Sequence, residues 1–174
     1  MAEVDLRAVR DNVRTIRKRL LPTARFMAVV KADGYGHGAV PVAEAALRGG
    51  AGALGVALAE EGVRIREAGI TAPILVLGPM LRAQAPMAVQ ASLAVTVYDD
   101  TSIRLIGDAA TAAGTQTPVH LKVDTGMGRI GVPHDGPVLK MALAVLAHPH
   151  LRLEGLMTHL ASADDTGGSS AERQ

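Results

Sequence analysis

Three side chains that could take part in chemistry each stand just beyond an apolar stretch of the sequence. Lys31, Arg129 and His159 follow stretches that end at positions 30, 123 and 157. Burial at the end of a strand would lower the pKa of a lysine and free its amine to form a Schiff base with a carbonyl compound. An arginine could clamp a carboxylate or a phenolate through two parallel hydrogen bonds. Each residue also has an ordinary interpretation: a lysine that reaches solvent, a surface arginine, and a buried, hydrogen-bonded histidine.

The glycine-rich turn that follows Lys31 has two interpretations. The glycines within residues 34–38 would let the backbone approach a ligand closely or adopt positive φ angles. The same turn matches the dinucleotide-binding pattern G-x-G-x-x-G/A at residues 34–39, with Glu60 about 20 residues further on. A charged lysine just before the loop has no part in dinucleotide binding. We therefore rank a dinucleotide-binding protein below a protein that anchors a cofactor on Lys31.

The elements that would position these residues alternate between helix and strand. Apolar residues at three- and four-residue steps predict a helix from Asp5 to Leu20, with Asp5 as its N-cap and Pro22 beyond its end. Short segments rich in apolar residues predict strands at residues 26–30, 53–57, 73–77, 93–97, 119–123 and 153–157. Further helices are predicted at residues 42–47, 59–68, 101–113 and 138–147, with a weaker one at 80–90 that contains Pro86.

This alternation predicts parallel strands joined by right-handed crossovers, in an α/β fold. Six such strands fit an open doubly wound sheet, or six of the eight strands of a closed barrel, and periodicity does not choose between them. In both folds the functional residues gather at the carboxyl ends of the strands, where Lys31, Arg129 and His159 are predicted to lie. The polar residues 162–174 are expected to form a loose terminus.

The composition argues against several classes of protein. The formal net charge is +1 and the charges are scattered, so we expect neither a nucleic-acid nor a membrane-surface partner. The absence of cysteine excludes disulfides and thiolate metal sites, and the histidine spacing predicts no metal. No apolar run approaches the ~18 residues that span a bilayer. The charged start lacks the pattern of a signal peptide, so we expect a cytoplasmic protein.

Four segments resemble sequence motifs of bacterial alanine racemases. VVKADGYGHG at residues 29–38 is similar to the motif around the cofactor lysine of that family. HLKVDTGMGRIG at 120–131 and GLMTHLA at 155–161 are similar to two further motifs, and AEVDL at 2–6 to the entry of the family's first helix. The order and spacing of the motifs agree with the family over essentially the whole chain.

The resemblance implies a (β/α)8 TIM-type barrel, of which residues 1–174 would form about six β/α units of the N-terminal domain. In the family a β-rich C-terminal domain follows, and the enzyme is a homodimer. The reaction it implies is the pyridoxal-phosphate-dependent interconversion of L- and D-alanine, which supplies D-alanine for peptidoglycan. Removal and return of the α-proton requires a base on each face of the substrate.

The resemblance also assigns roles to individual residues. Lys31 would carry pyridoxal 5'-phosphate and act as one of the two acid/base groups, and Tyr35 would help to hold the cofactor phosphate. Arg129 would lie near the phenolic oxygen of the cofactor and the substrate carboxylate, and His159 would support the cofactor ring. Lys122 can be carbamylated in this family, which would give an anion that orients Arg129. Without the modification, the two cations would repel one another.

Alanine racemases are about twice as long as this chain. Three features of the family have no counterpart in residues 1–174. They are the last two barrel strands, the arginine that pairs with the cofactor ring nitrogen, and the tyrosine that acts on the opposite face of the substrate. The start also looks shorter than in the family. The chain is then either a fragment of a racemase or a complete short protein that binds pyridoxal phosphate without racemising. We expect a fragment, and we expect the isolated chain to lack useful racemase activity.

Overall fold

The computed structural model describes residues 3–164, so most of the terminus expected at 162–174 lies outside the described residues. The chain divides into two compact units, Met1–Ala94 and Val95–Gln174. Each unit is built from parallel strands that alternate with helices, as the sequence predicts. Within residues 3–164, every helix falls short of the length and apolar character that crossing a bilayer requires.

The first unit contains the strands on which Lys31 depends. Along the chain its elements are α1 (Leu6–Arg17), β1 (Met27–Val29), α2 (Lys31–Tyr35), α3 (Ala39–Gly49), β2 (Ala53–Val56), α4 (Ala59–Glu67), β3 (Ile74–Val76) and α5 (Ala85–Gln90). Strand β2 pairs in parallel with β1 on one side and with β3 on the other. The register sets Val29 beside Gly55 and Gly55 beside Leu75.

Helix α1 begins where the sequence predicts. The Asp5 carboxylate accepts hydrogen bonds from the backbone N–H groups two and three residues further on, at 2.8 and 3.2 Å. The helix ends at Arg17, earlier than the predicted end at Leu20. The backbone N–H groups of Arg19 and Leu20 bond to carbonyls three residues back, which is the tighter turn that commonly finishes a helix.

Helices α1 and α3 approach each other most closely at Gly49. A Cβ atom on Gly49 would lie 2.7 Å from the carbonyl oxygen of Arg10 and 2.8 Å from Cβ of Val13. Real Cβ atoms do not come this close to other heavy atoms, so only glycine permits the contact. The buried side chain of Val13 fills the space beside it.

The strands of the first unit have one fully buried face and one that is more open. Leu54, Ile74 and Val76 on the buried face are at most 1% exposed. On the other face a Cβ atom on Gly55 would contact the side chains of Leu77, Met27 and Val29 at 3.1–3.3 Å, and Val29 is 39% exposed. By strand alternation, the residues that follow Val29 and Gly55 on this face lie at the carboxyl ends of the strands.

The second unit contains the strands on which Arg129 and His159 depend. Its elements are β4 (Ala94–Val97), whose first residue belongs to the first unit, α6 (Asp100–Ala113), β5 (Thr117–Asp124), β6 (Val132–Pro133), α7 (Val138–Leu146) and β7 (Leu151–Met157). Strand β5 pairs in parallel with β4 and β7, and its last two residues also pair with β6. The Asp99 carboxylate caps α6 by accepting a 2.6 Å hydrogen bond from the Ser102 backbone.

Alternation along β5 separates apolar from polar side chains. Val119 and Leu121 are fully buried, together with Val95 and Val97 of β4, which pair with them. The opposite face carries Thr96, His120 and Lys122. On β7, Gly155 pairs with His120 and Met157 pairs with Lys122. A polar layer therefore lies on one face of this sheet, at and near the carboxyl end of β5.

The sequence predicts these elements well apart from the bounds of several of them, and three further differences stand out. The weak helix predicted at residues 80–90 forms only at Ala85–Gln90, where Pro86 lies in the first turn and its missing N–H has no helical partner to lose. The short α2, predicted only as a glycine-rich turn, begins at Lys31 itself. The two-residue strand β6 was not predicted, because two residues carry no periodicity.

Candidate active site

In the first unit, Lys31 stands two residues beyond the end of β1, at the first position of α2. Its side chain is half-buried, and Nζ lies 5.9 Å from the centre of the Tyr35 ring, within range of a cation–π contact. The structure therefore brings together the two site residues predicted for this unit. None of the ion pairs found among residues 3–164 involves Lys31, so no neighbouring carboxylate occupies its amine.

The turn after Lys31 is left-handed. The φ angles of Ala32, Asp33, Gly34 and Tyr35 are 51°, 53°, 63° and 56°, and that of Gly36 is 81°. Glycine adopts this conformation freely, but each of the three other residues loses about 1–2 kcal/mol relative to a right-handed turn. The sequence predicts positive φ at the glycines only. Strain of this kind persists where the surroundings hold the backbone in place, and it is concentrated at functional sites.

Hydrogen bonds hold this turn from both ends. The Asp33 carboxylate accepts a 2.9 Å bond from the backbone N–H of Ala39, the first residue of α3. At the start of the turn, Glu61 Oε1 accepts a 2.6 Å bond from the backbone N–H of Ala32. Sequence reasoning missed Glu61. Its place in the first turn of α4 indicates a capping role, but nothing in the sequence points to a partner 29 residues earlier.

In the second unit, Lys122 is the buried lysine of the site. Its side chain is only 3% exposed, on the polar face of β5. Burial lowers the pKa of Lys122, the nearby charge of Arg129 lowers it further, and the charge of Asp124 opposes both effects. The sequence placed strong desolvation on Lys31. The structure leaves Lys31 half-buried and places the deeper burial on Lys122.

The loop that carries Arg129 folds around the carboxylate of Asp124. Oδ1 of Asp124 accepts hydrogen bonds from the backbone N–H groups of Gly126 and Gly128, each at 3.0 Å. These bonds are the main reason why the pKa of Asp124 is lowered. Gly131 has a φ of 138°, and a Cβ atom there would lie 2.6 Å from the backbone nitrogen of Asp124. The loop therefore returns tightly to β5, and Arg129 is exposed on it.

The carboxyl ends of β5 and β7 are joined by a hydrogen bond between Thr125 Oγ1 and Thr158 Oγ1, at 2.7 Å. His159 directly follows this contact and is exposed, so the alternative of a buried structural histidine is wrong. Among residues 3–164 no hydrogen bond or ion pair joins His159 to Arg129. The two residues follow neighbouring strands.

His120 lies on the same face of β5 as Lys122. Its Nε2 atom is 3.7 Å from Glu154 Oε2. Burial lowers the pKa of His120, and Glu154 opposes this effect. The ring packs against Gly155, where a Cβ atom would lie 3.1 Å from His120 Nδ1.

The dinucleotide-binding interpretation gains no support from the structure. Glu60 lies in the first turn of α4, and its carboxylate accepts hydrogen bonds from Gln84 Nε2 at 2.9 and 2.8 Å. An acidic residue that binds a ribose instead stands at the end of a strand. Across residues 3–164, the structure holds no group of three or more histidine or acidic side chains arranged for a metal ion.

Comparisons with known proteins agree with the motifs. Residues 4–174 match the sequence model of the family described as "Alanine racemase, N-terminal domain". The alanine racemase of Symbiobacterium thermophilum is 51% identical over 167 residues, which are 95% of this chain and 44% of that protein. The crystal structure of alanine racemase from E. faecalis has a TM-score of 0.92 and 40% identity over 98% of this chain and 46% of its own. That of Bacillus anthracis alanine racemase with bound L-Ala-P has a TM-score of 0.90 and 36% identity, over 98% and 44% of the two chains. The chain thus spans less than half the length of these relatives.

Proposed function

Since the chain belongs to the alanine racemase family and has the fold of that family's N-terminal TIM-type barrel, with about six β/α units, we propose that it supplies the lysine-bearing part of an enzyme that interconverts L- and D-alanine. The resemblance and the fold class predicted from the sequence are confirmed. The activity is a proposal, because the chain covers 44% of the Symbiobacterium relative. The observation that carries it is the Lys31 amine, free of ion pairs among the described residues and held by a strained turn at the end of β1.

The chemistry of the site residues fits pyridoxal 5'-phosphate. The primary amine of Lys31 would hold the cofactor through its aldehyde, and the phenol of Tyr35, 58% exposed, could donate a hydrogen bond to the phosphate. Arg129 offers donors to the phenolic oxygen, and His159 offers an exposed imidazole. When bound, the cofactor supplies an electron-withdrawing ring that makes the α-hydrogen of an amino acid removable.

Lys31 Nζ would remove and return the α-proton on one face of the substrate, and Arg129 would bind the substrate carboxylate through two hydrogen bonds. Inversion needs a second acid/base group on the other face. By the family pattern we assign that group to a residue outside this sequence, which is why we expect the 174-residue chain to lack useful racemase activity. The homodimer, the supply of D-alanine for peptidoglycan and the cytoplasmic location are proposals of the same kind.

We assign the buried Lys122 as a site of carbamylation. Its lowered pKa favours the neutral amine, which can add to carbon dioxide and release one proton to give a carbamate. The carbamate is an anion, whereas the unmodified, protonated side chain would be a cation near Arg129. It would then attract the guanidinium instead of repelling it.

The test of the function is proton exchange at the α-carbon. The purified chain with pyridoxal phosphate is incubated in deuterium oxide with L- or D-alanine, and each product is analysed by mass spectrometry after chiral separation. We expect deuterium to enter one enantiomer without inversion, and we expect Lys31→Ala to abolish this exchange. Lys140→Ala is the control, at an exposed lysine whose one ion pair within residues 3–164 is with Asp100 at 4.0 Å.

Other outcomes are equally informative. Inversion of alanine by the isolated chain would show that a second acid/base group lies within residues 1–174. Cofactor bound on Lys31 with no exchange in either enantiomer would refute the proton-transfer role. That result would favour the second interpretation of the sequence, a protein that binds pyridoxal phosphate without racemising.

A further inference from the structure

Glu61 is bonded to the peptide group that directly follows the cofactor lysine. Its Oε1 atom accepts the 2.6 Å hydrogen bond from the Ala32 backbone, and Ala32 is the first residue of the left-handed turn, with φ 51° and ψ 49°. We propose that Glu61 is a positioning residue that fixes the backbone of Lys31 for attachment of the cofactor. This inference rests on the proposed role of Lys31.

The Ala32 N–H needs an acceptor from outside its own helix. It belongs to the first turn of α2, where backbone N–H groups have no carbonyl partner within the helix. Alanine also prefers a right-handed turn, so the local sequence does not itself favour the observed backbone. A charged acceptor from α4 supplies the missing partner and selects the left-handed conformation.

The other oxygen of Glu61 is anchored at the end of the neighbouring strand. Oε2 accepts hydrogen bonds from the backbone N–H groups of Ala57 and Leu58, at 2.7 and 3.1 Å. Ala57 directly follows β2, which pairs with β1. One carboxylate therefore ties the residue after Lys31 to the carboxyl end of the adjacent strand. Three backbone N–H groups donate to the two oxygens of this carboxylate. A glutamine at position 61 would replace one oxygen with an NH2 group, and this donor would then face at least one of the three N–H donors.

Two substitutions separate this positioning role from the capping of α4. Glu61→Asp keeps the charge and can still accept from the N–H groups at the start of α4, but the side chain is one methylene shorter and loses its reach to Ala32. Glu61→Gln keeps the length and introduces the donor conflict. Glu67→Gln removes the same charge from the exposed end of the same helix, where the described residues give Glu67 no hydrogen bond or ion pair, and it is the control.

The first measurement does not involve the cofactor. Amide hydrogen exchange of the peptide that contains Ala32 should be at least about tenfold faster in Glu61→Asp and Glu61→Gln than in the wild type or in Glu67→Gln. Acetylation of Lys31 by acetic anhydride, measured against the exposed Lys140, should be faster in the same two variants because the amine is less restrained. Unchanged exchange and acetylation in folded Glu61 variants would overturn the proposal.

The second measurement follows the cofactor. Borohydride fixes pyridoxal phosphate on Lys31, and mass spectrometry gives the rate at which the modified peptide appears. We expect this rate to fall at least about tenfold in both Glu61 variants, because displacing a reacting group by roughly 1 Å can cost about a hundredfold in rate. Trapping at the wild-type rate by a folded Glu61 variant would overturn the positioning role. If the wild-type chain traps no cofactor at Lys31, the proposed function fails, and exchange and acetylation still decide whether Glu61 holds the turn.

Discussion

Replacing Ala32 with glycine should make the protein more stable and should not slow attachment of the cofactor, because glycine adopts the same left-handed turn without strain. Ala32 has a left-handed backbone, and the substitution would release about 1–2 kcal/mol of strain. Glycine also gives the unfolded chain more freedom, which lowers the stability by about 0.5–1 kcal/mol. The difference is a gain between about 0 and 1.5 kcal/mol. At about 2–4 °C per kcal/mol for a chain of this size, the midpoint of that range raises the Tm by roughly 1.5–3 °C.

The matched control is Ala112→Gly, at an exposed position of the right-handed helix α6. There the substitution relieves no strain and should lower the stability by about 1 kcal/mol. Urea denaturation followed by circular dichroism measures both variants, and borohydride trapping on Lys31 measures the functional consequence. The predicted signature is a pair of stability changes with opposite signs, with trapping on Lys31 no slower in either variant than in the wild type. If both glycine variants lose similar stability, the turn after Lys31 is not strained and the reasoning fails.

Three further substitutions test other parts of the structure by urea denaturation. Lys122→Met should raise the stability by about 1 kcal/mol at pH 7 in buffer free of carbon dioxide. Folding lowers the pKa of Lys122, so protonation of this lysine favours the unfolded chain. The gain in stability should therefore shrink as the pH rises towards 10.5. A gain that does not depend on pH would contradict the lowered pKa of Lys122. Arg66→Ala should lower the stability by about 2–3 kcal/mol. The Arg66 guanidinium donates hydrogen bonds to the carbonyls of Ile70, Ala72 and Ala91 at 2.8, 2.7 and 3.1 Å, and in the variant water would replace only part of these bonds. A loss below about 0.5 kcal/mol would show that water replaces them fully. Gly49→Ala should lose about 1–3 kcal/mol by forcing α1 and α3 apart, and an unchanged stability would mean that the helices separate without cost.

The sequence predicts most of the scaffold because each element has a strong local signal. Five-residue segments rich in apolar residues mark the strands, and the structure confirms the predicted cap at Asp5 and the predicted end of the helix at residue 113. The burial of Lys122 also has a signal that went unused. Along β5, Val119 and Leu121 alternate with His120 and Lys122, and a period of two places the second pair together on the opposite face.

The backbone of the site could not be predicted in the same way. Ala32 and Tyr35 have no intrinsic preference for a left-handed turn, so nothing local to them announces positive φ angles. The partner that stabilises the turn, Glu61, belongs to a helix three elements further along the chain. The hydrogen bond between Glu61 and Ala32 depends on which strands pair in the sheet. The residues next to Ala32 or Glu61 in the sequence do not reveal that pairing.

Glu61, in the first unit, and Asp124, in the second, each hold the backbone of a loop in the same way. Each carboxylate accepts hydrogen bonds from the backbone of a loop that follows a strand, and each loop carries a cation proposed for the site, Lys31 or Arg129. A carboxylate that binds the backbone fixes a loop without using the side chains of that loop. Within the described residues, the ends of the Lys31 and Arg129 side chains accordingly make no hydrogen bond to the protein. Both loops are held in place while the groups that would meet a cofactor and a substrate stay available, which is the arrangement that a preorganised site requires.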